Sequence, residues 1–258
     1  MQESPQSSAT EAGVALIVGG GPGISASCAR VFAAGGLRVA VAARAPDKPV
    51  MRRLELEFGV RRFACDASDE GSVAALFDTV STELDTPRLV VHNIDGRSMD
   101  IFRKSIDEAE PALVRGVLDH SAYSAFLVGQ QAARRMLRQP MDPAGRRGTI
   151  IFTNASAALK GFPRSAAFAM ACHAKAGLTE SMARELMPQG IHVAHVPIDG
   201  AVGWVQEDGS RQHRLAGTDE NDNLLHPDHI AQTYWMLHEQ HRSAWSSEIV
   251  LRPWVENW

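Results

Sequence analysis

The run Val14-Ala15-Leu16-Ile17-Val18 is followed at once by Gly19-Gly20-Gly21-Pro22-Gly23-Ile24-Ser25. An unbroken apolar pentapeptide is the signature of a strand buried on both faces, as in a parallel sheet covered by helices. Glycines directly behind such a strand let the backbone turn tightly and approach a phosphate pair resting on the N-terminus of the next helix, here expected over Ile24 to Ala34. The arrangement points to a dinucleotide site, with Gly19, Gly21, Gly23 and Ile24 at the phosphates. A glycine-rich turn can also form with no ligand, so the rest of the chain has to decide.

Strand and helix patterns alternate to the C-terminus. Apolar runs at Leu37 to Ala43, Val60 to Cys65, Arg88 to His92, Gly148 to Thr153, Ile191 to Val196 and Ser247 to Leu251 read as further strands. Helical spacing falls over Pro46 to Phe58, Ser68 to Leu84, Ala112 to Arg138, Ser165 to Met187 and Pro227 to about His241. This alternation predicts a single α/β domain with a doubly wound parallel sheet of about seven strands and helices on both faces. In such sheets ligands sit beyond the carboxyl ends of the strands, which here carry Gly19, Arg44, Asp66, Asn93, Ala155 to Ala158, and Ile198 to Gly200. The polar segment 200–223 is expected to be a mobile loop over a ligand, and the polar residues 1–12 a disordered tail.

Charge and cysteine usage narrow the class. The 258 residues carry a net charge of −4, so no basic surface suggests nucleic acid or an anionic membrane, and small-molecule chemistry is the better expectation. Three widely spaced cysteines, Cys28, Cys65 and Cys172, suit packed thiols in a reducing cytoplasm. No apolar run approaches the roughly 20 residues of a membrane span. The histidine pairs at 226/229 and 238/241 lack a third ligand at metal-binding spacing, so no metal site is expected.

From Gly13 to Trp258 these positions resemble the short-chain dehydrogenase/reductase superfamily, which implies a Rossmann-type fold binding a nicotinamide cofactor. The family's glycine pattern appears as Gly19, Gly23 and Ser25, with serine in the third place. Asp66 matches the aspartate that meets the adenine, and Asn93 is what remains of an Asn-Ala-Gly turn. Gly200 and Val202 are expected as further cofactor-binding positions. Where NAD-preferring relatives carry an acid for the ribose diol, the second strand ends in Ala43-Arg44. An arginine fork suits a 2′-phosphate, which favours NADP(H) over NAD(H), although a strand-end arginine can also simply be solvated.

The resemblance also exposes gaps. Family enzymes use a serine, a tyrosine, a lysine four residues later and an asparagine on the preceding long helix. Lys175 is present, whereas Ala171, Ala158 and Ser121 stand at the other three places. A missing general acid removes roughly 100-fold to 10,000-fold of rate, so ordinary ketone reduction is expected to be very poor. Among substitutes, Ser156 reaches the pocket if its loop bends, and Asp199 could do acid-base work or cap a turn. Tyr123 reads as core or interface, and His173 as packing or surface. Restoring the lost hydroxyls by Ala158→Ser with Ala171→Tyr is expected to raise reduction of an activated ketone by at least about tenfold, unless the phenol collides with Phe168 or the loop after Gly200. Two functions remain open: an atypical NADP-dependent oxidoreductase acting on an activated substrate, or a non-catalytic cofactor- or partner-binding protein. Family members commonly pair the two long helices across a two-fold axis, so the resemblance implies a homodimer or homotetramer.

Overall fold

The structure is a computed structural model that describes residues 13–206, 210–213, 216–219 and 222–256. The N-terminal segment 1–12, expected to be a disordered tail, lies outside the described residues.

Six parallel strands form the sheet: β1 (Val14–Val18), β2 (Arg38–Ala43), β3 (Arg61–Ala64), β4 (Leu89–His92), β5 (Gly148–Ala155) and β6 (Ile191–Ile198), in the order β3-β2-β1-β4-β5-β6. Along β1, Val14, Leu16 and Val18 point to one face and Ala15 and Ile17 to the other, and all five are buried. Helices α1 (Ile24–Ala34), α2 (Pro49–Phe58) and α7 (Pro227–Glu239) cover the second face, through Phe32, Met51, Leu54, Ile230 and Tyr234. The first face is covered by α3 (Glu70–Glu83), α5 (Ser124–Met136) and α6 (Ala166–Leu186), through Phe77, Val128, Ala132 and Leu186. Because both faces are sealed, a strand with no polar alternation is the expected sequence. The crossover from β3 to β4 returns the chain to the other side of β1, opening a crevice at the carboxyl ends of β1 and β4.

Three expectations need correction. The seventh strand is absent as a continuous ladder: Glu248 and Leu251 make separate parallel bridges to His195 and Ile198. The cause is one missing donor. The bonds His195 N to Ser247 O (2.9 Å), Ile249 N to His195 O (3.0 Å), Leu251 N to Pro197 O (3.0 Å) and Asp199 N to Leu251 O (2.7 Å) are in register. The bond that belongs between the second and the third would have to come from the amide of residue 197, and proline has no N–H.

The second correction concerns the long helix Ala112 to Arg138. It is α4 (Pro111–Val117), a π-helical turn Leu118–Tyr123, and α5. Such turns are rare and favour functional positions. Gly96, after β4, lies against this turn at φ +82, and a Cβ on it would meet the Ser121 backbone N at 2.8 Å. Third, the segment expected to be irregular carries a small antiparallel sheet of β7 (Trp204–Val205), β8 (Arg211–His213) and β9 (Gly217–Thr218). Among the described residues, no helix is long and apolar enough to cross a membrane.

Candidate active site

The turn after β1 is built around Gly19. Its φ is +111, and a Cβ there would sit 2.2 Å from the Asn93 carbonyl oxygen, so no larger residue fits without moving β4. The amides of Gly19 and Gly20 both donate to Ala42 O at 2.9 Å, which holds the turn against β2. Ser25, expected to be a tolerated intrusion, is used: its hydroxyl donates to Gly19 O at 2.7 Å and accepts from Asn93 Nδ2 at 2.7 Å. The serine thereby ties α1 to the ends of both β1 and β4. Gly23 caps α1 without a side-chain hydrogen bond, and the space beyond Gly21 is open. The first amides of α1 therefore keep their donors for an anion.

Beside this turn lies a cavity of about 570 Å³ lined by Gly19, Arg44, Lys48, Asp66, Asn93 and Asp95, among others. Asp66 Oδ1 accepts from the amide and the hydroxyl of Ser68 at 3.0 and 2.6 Å, which keeps its carboxyl below the usual range and fixes its direction. Arg44 and Lys48 are exposed on the cavity rim, and no carboxylate among the described residues lies within 4.0 Å of either. Lys48 was not anticipated from the sequence. The signal was its place four residues past Arg44, directly before the Pro49 that opens α2.

A second chamber of about 380 Å³ adjoins the first through Asn93, Ile94, Asp95 and Arg97. Lys175, Gly200, Val202 and Ile24 line it, as do the unanticipated Asn154, Phe168, Trp204 and His213. Lys175 is fully buried, and its ammonium donates to Ile94 O at 2.9 Å and Thr153 O at 3.2 Å. Burial pulls its pKa from 10.5 down to about 8, against the opposing pull of Cys172 and Asp95. An ammonium has three donors, so one N–H is left for the chamber. Asn154 is locked in place, its Nδ2 donating to Cys172 O (2.9 Å) and to His195 Nε2 (2.8 Å). His195 then donates from Nδ1 to Glu248 at 2.8 Å, and burial lowers its pKa.

The other candidates stand apart from this chamber. Asp199 is buried, with Oδ2 3.4 Å from Arg252 Nε, and it is not among the lining residues. Ser156 begins a 3₁₀ turn and faces a neighbouring outer cavity. Ala171 is fully buried in a cluster with Ala157, Ala167, Phe168 and Cys172. The site that emerges is a long cleft with cations at its outer end, a glycine turn and helix terminus in the middle, and a buried lysine at its inner end.

Residues 19–251 match the family described as Enoyl-(Acyl carrier protein) reductase. The chain belongs to the short-chain dehydrogenase/reductase superfamily. It is 33% identical over 181 residues to momilactone A synthase of Oryza sativa subsp. japonica, an alignment covering 70% of this chain and 63% of that protein. A crystal structure of a short-chain dehydrogenase from Rhodopseudomonas palustris superposes with a TM-score of 0.75 at 29% identity, covering 94% of this chain and 99% of the other. A metagenomic short-chain oxidoreductase in complex with NADP shares the fold, with a TM-score of 0.73, 23% identity, and 93% and 97% covered. The superfamily binds a nicotinamide cofactor across such a cleft, and the open α1 terminus and the cradle at Gly19 fit one.

Proposed function

We propose that this chain is an NADP-dependent oxidoreductase in which Lys175 itself, and not a tyrosine, handles the proton. The observation that carries the cofactor half of the reading is the rim of Arg44 and Lys48, two exposed cations just past the end of β2, while the nearby Asp47 is paired with Arg62. Those two cations suit a 2′-phosphate and offer nothing to a bare ribose diol. Asp66, Asn93 and the turn at Gly19 would hold the remaining adenosine and phosphate groups. When bound, the nicotinamide supplies or accepts the hydride. Lys175 Nζ holds a proton at the chamber wall, and a pKa near 8 makes it a better donor than an ordinary lysine. Ala171 and Ala158 supply no hydroxyl, so a substrate with an already polarised C=C or C=N bond is favoured over a plain ketone. His213, in β8, also lines the chamber. Asp199 is assigned a structural role with Arg252 in this reading, and Ser156 no proton-transfer role.

The second reading, a cofactor-binding protein without turnover, draws support from the same two alanines. Fluorescence titration with NADPH, followed by a turnover screen on enones, imines and activated ketones, separates the two. Binding with turnover supports the first reading, binding without turnover the second, and no binding of NADPH removes both. A homo-oligomer is part of the proposal: α6 presents exposed Met170, His173 and Gly177, and a Cβ on Gly177 would meet nothing within 4 Å. Light scattering that returns the 28.0 kDa monomer at micromolar concentration overturns the assembly.

A further inference from the structure

Outside the inner chamber, and sharing Arg97, Phe102 and Phe168 with it, lies an outer cavity of about 520 Å³. Its walls are apolar: Ile101, Phe102, Phe162 and Phe168 supply rings and a branched chain, with small residues between them. All of its charged lining residues are basic, namely Arg97, Arg103, Lys104 and Arg164. Arg97 is spoken for, since Asp95 takes it in two bonds of 2.7 Å while its guanidinium stacks 3.7 Å from the centre of Phe168. The other three have no carboxylate within 4.0 Å among the described residues. Glu108, the acid that feels Lys104 and Arg164, is turned onto the Ser105 hydroxyl at 2.7 Å.

The backbone gives a second, independent observation. Arg103 and Arg164 come from different loops, one after β4 and one before α6, yet both adopt left-handed φ values of +57 and +59. Such a conformation is unfavourable for a residue with a long side chain, and strained backbone of this kind gathers at ligand sites. Here it brings two guanidinium groups to one cavity.

We infer that the outer cavity binds the anionic end of the substrate, a carboxylate or phosphate attached to a flat apolar body. That inference deepens the proposed function and rests on the inner chamber being the reaction site: the body would lie along Ile101 and Phe162, outside the Arg97 guanidinium that covers Phe168, with its reducible bond toward the inner chamber and its anion on Arg103, Lys104 and Arg164. An arginine fork can donate to two oxygens of either anion type, and apolar walls strengthen the attraction by excluding water.

The test uses the full chain saturated with NADP⁺ and three probes of similar size: cinnamate, phenyl phosphate and the uncharged cinnamamide. Calorimetry should show at least one anion binding ten or more times as tightly as the amide, and the stronger of the two identifies the anion type. The preference should collapse at about 1 M salt, where the screening length falls to about 3 Å. It should vanish in the double variant Arg103→Asn, Arg164→Asn. Asparagine tolerates the left-handed region, so the loops are kept, and an unchanged thermal midpoint with unchanged NADPH affinity verifies this. Equal binding of anions and amide, an anion preference that survives the double variant, or no anion binding at millimolar concentration overturns the inference. Loss of NADPH binding with the anion preference intact would instead remove the cofactor reading and leave the anion site standing.

Discussion

Replacing Lys175 with methionine keeps most of the side-chain volume and removes the charge, which isolates the energetic consequence of burying an ammonium. Moving its pKa from 10.5 to about 8 corresponds to about 3 kcal/mol against the charged form, at about 1.4 kcal/mol for each decade. Below pH 8 the lysine is charged in both folded and unfolded chains, so the folded protein bears the whole penalty. Between pH 8 and 10.5 the folded chain has lost its proton while the unfolded chain keeps it, and the penalty shrinks as pH rises. By pH 10 about 1 kcal/mol remains, so the stability of the native protein relative to Lys175→Met should improve by about 2 kcal/mol between pH 7 and pH 10. The lost bonds to Ile94 O and Thr153 O affect the variant at every pH and cancel from this difference. Urea denaturation of both proteins at the two pH values measures it. Parallel pH dependences would refute the burial argument. The same titration predicts that reduction falls off above about pH 8, as the proposed donor loses its proton, and a rate that is flat to pH 10 would exclude Lys175 as the acid.

Arg44→Ala should weaken NADPH about tenfold, or about 1.4 kcal/mol, and leave NADH within about twofold, as read by calorimetric titration; equal losses for both cofactors would count against a 2′-phosphate contact. Gly19→Ala forces a Cβ onto the Asn93 carbonyl at 2.2 Å with φ at +111, so backbone strain alone should cost about 1–3 kcal/mol and cofactor binding should be lost. Thermal denaturation and NADPH titration check both effects. For Ala158→Ser with Ala171→Tyr, Phe168 and Cys172 already close around the fully buried Ala171. Overpacking of about 1–3 kcal/mol and a midpoint lower by about 2–4 °C for each kcal/mol are therefore expected in place of a tenfold gain. A double variant of native stability with improved ketone reduction would show that the cluster yields.

The fold was legible because burial on both sheet faces erases polar alternation, and that erasure is visible residue by residue in Val14–Val18. Helix starts were harder. The second helix, expected from Pro46, begins at Pro49, where the missing N–H costs no hydrogen bond, and α3 begins after Asp69, whose carboxylate accepts from Ser72 N at 2.6 Å. The break in the seventh strand was written in the sequence as Pro197, but its effect depends on which neighbour residue 197 faces, and that is set by tertiary pairing. The π turn at Leu118–Tyr123 has no such mark: the stretch Ala112 to Arg138 keeps helical spacing throughout, and the loop carrying Gly96 rests against the turn in three dimensions.

The candidate site divides along the same line. Gly19, Arg44, Asp66 and Asn93 could be named together because each stands one or two residues past the end of a strand, and a parallel sheet collects such positions at one edge. Lys175 joins them from α6, where only the resemblance marked it. His213, Trp204, Phe168 and the basic outer cavity come from elements whose placement is a matter of packing, so no spacing announces them. Asp199 shows the converse. Its position at the end of β6 made it a candidate acid, yet Arg252, distant in sequence, lies 3.4 Å away in the folded chain. A carboxylate packed against that guanidinium and outside the chamber lining is not placed to meet a substrate, which leaves proton transfer to groups on the chamber wall whose burial raises their acidity, as at Lys175.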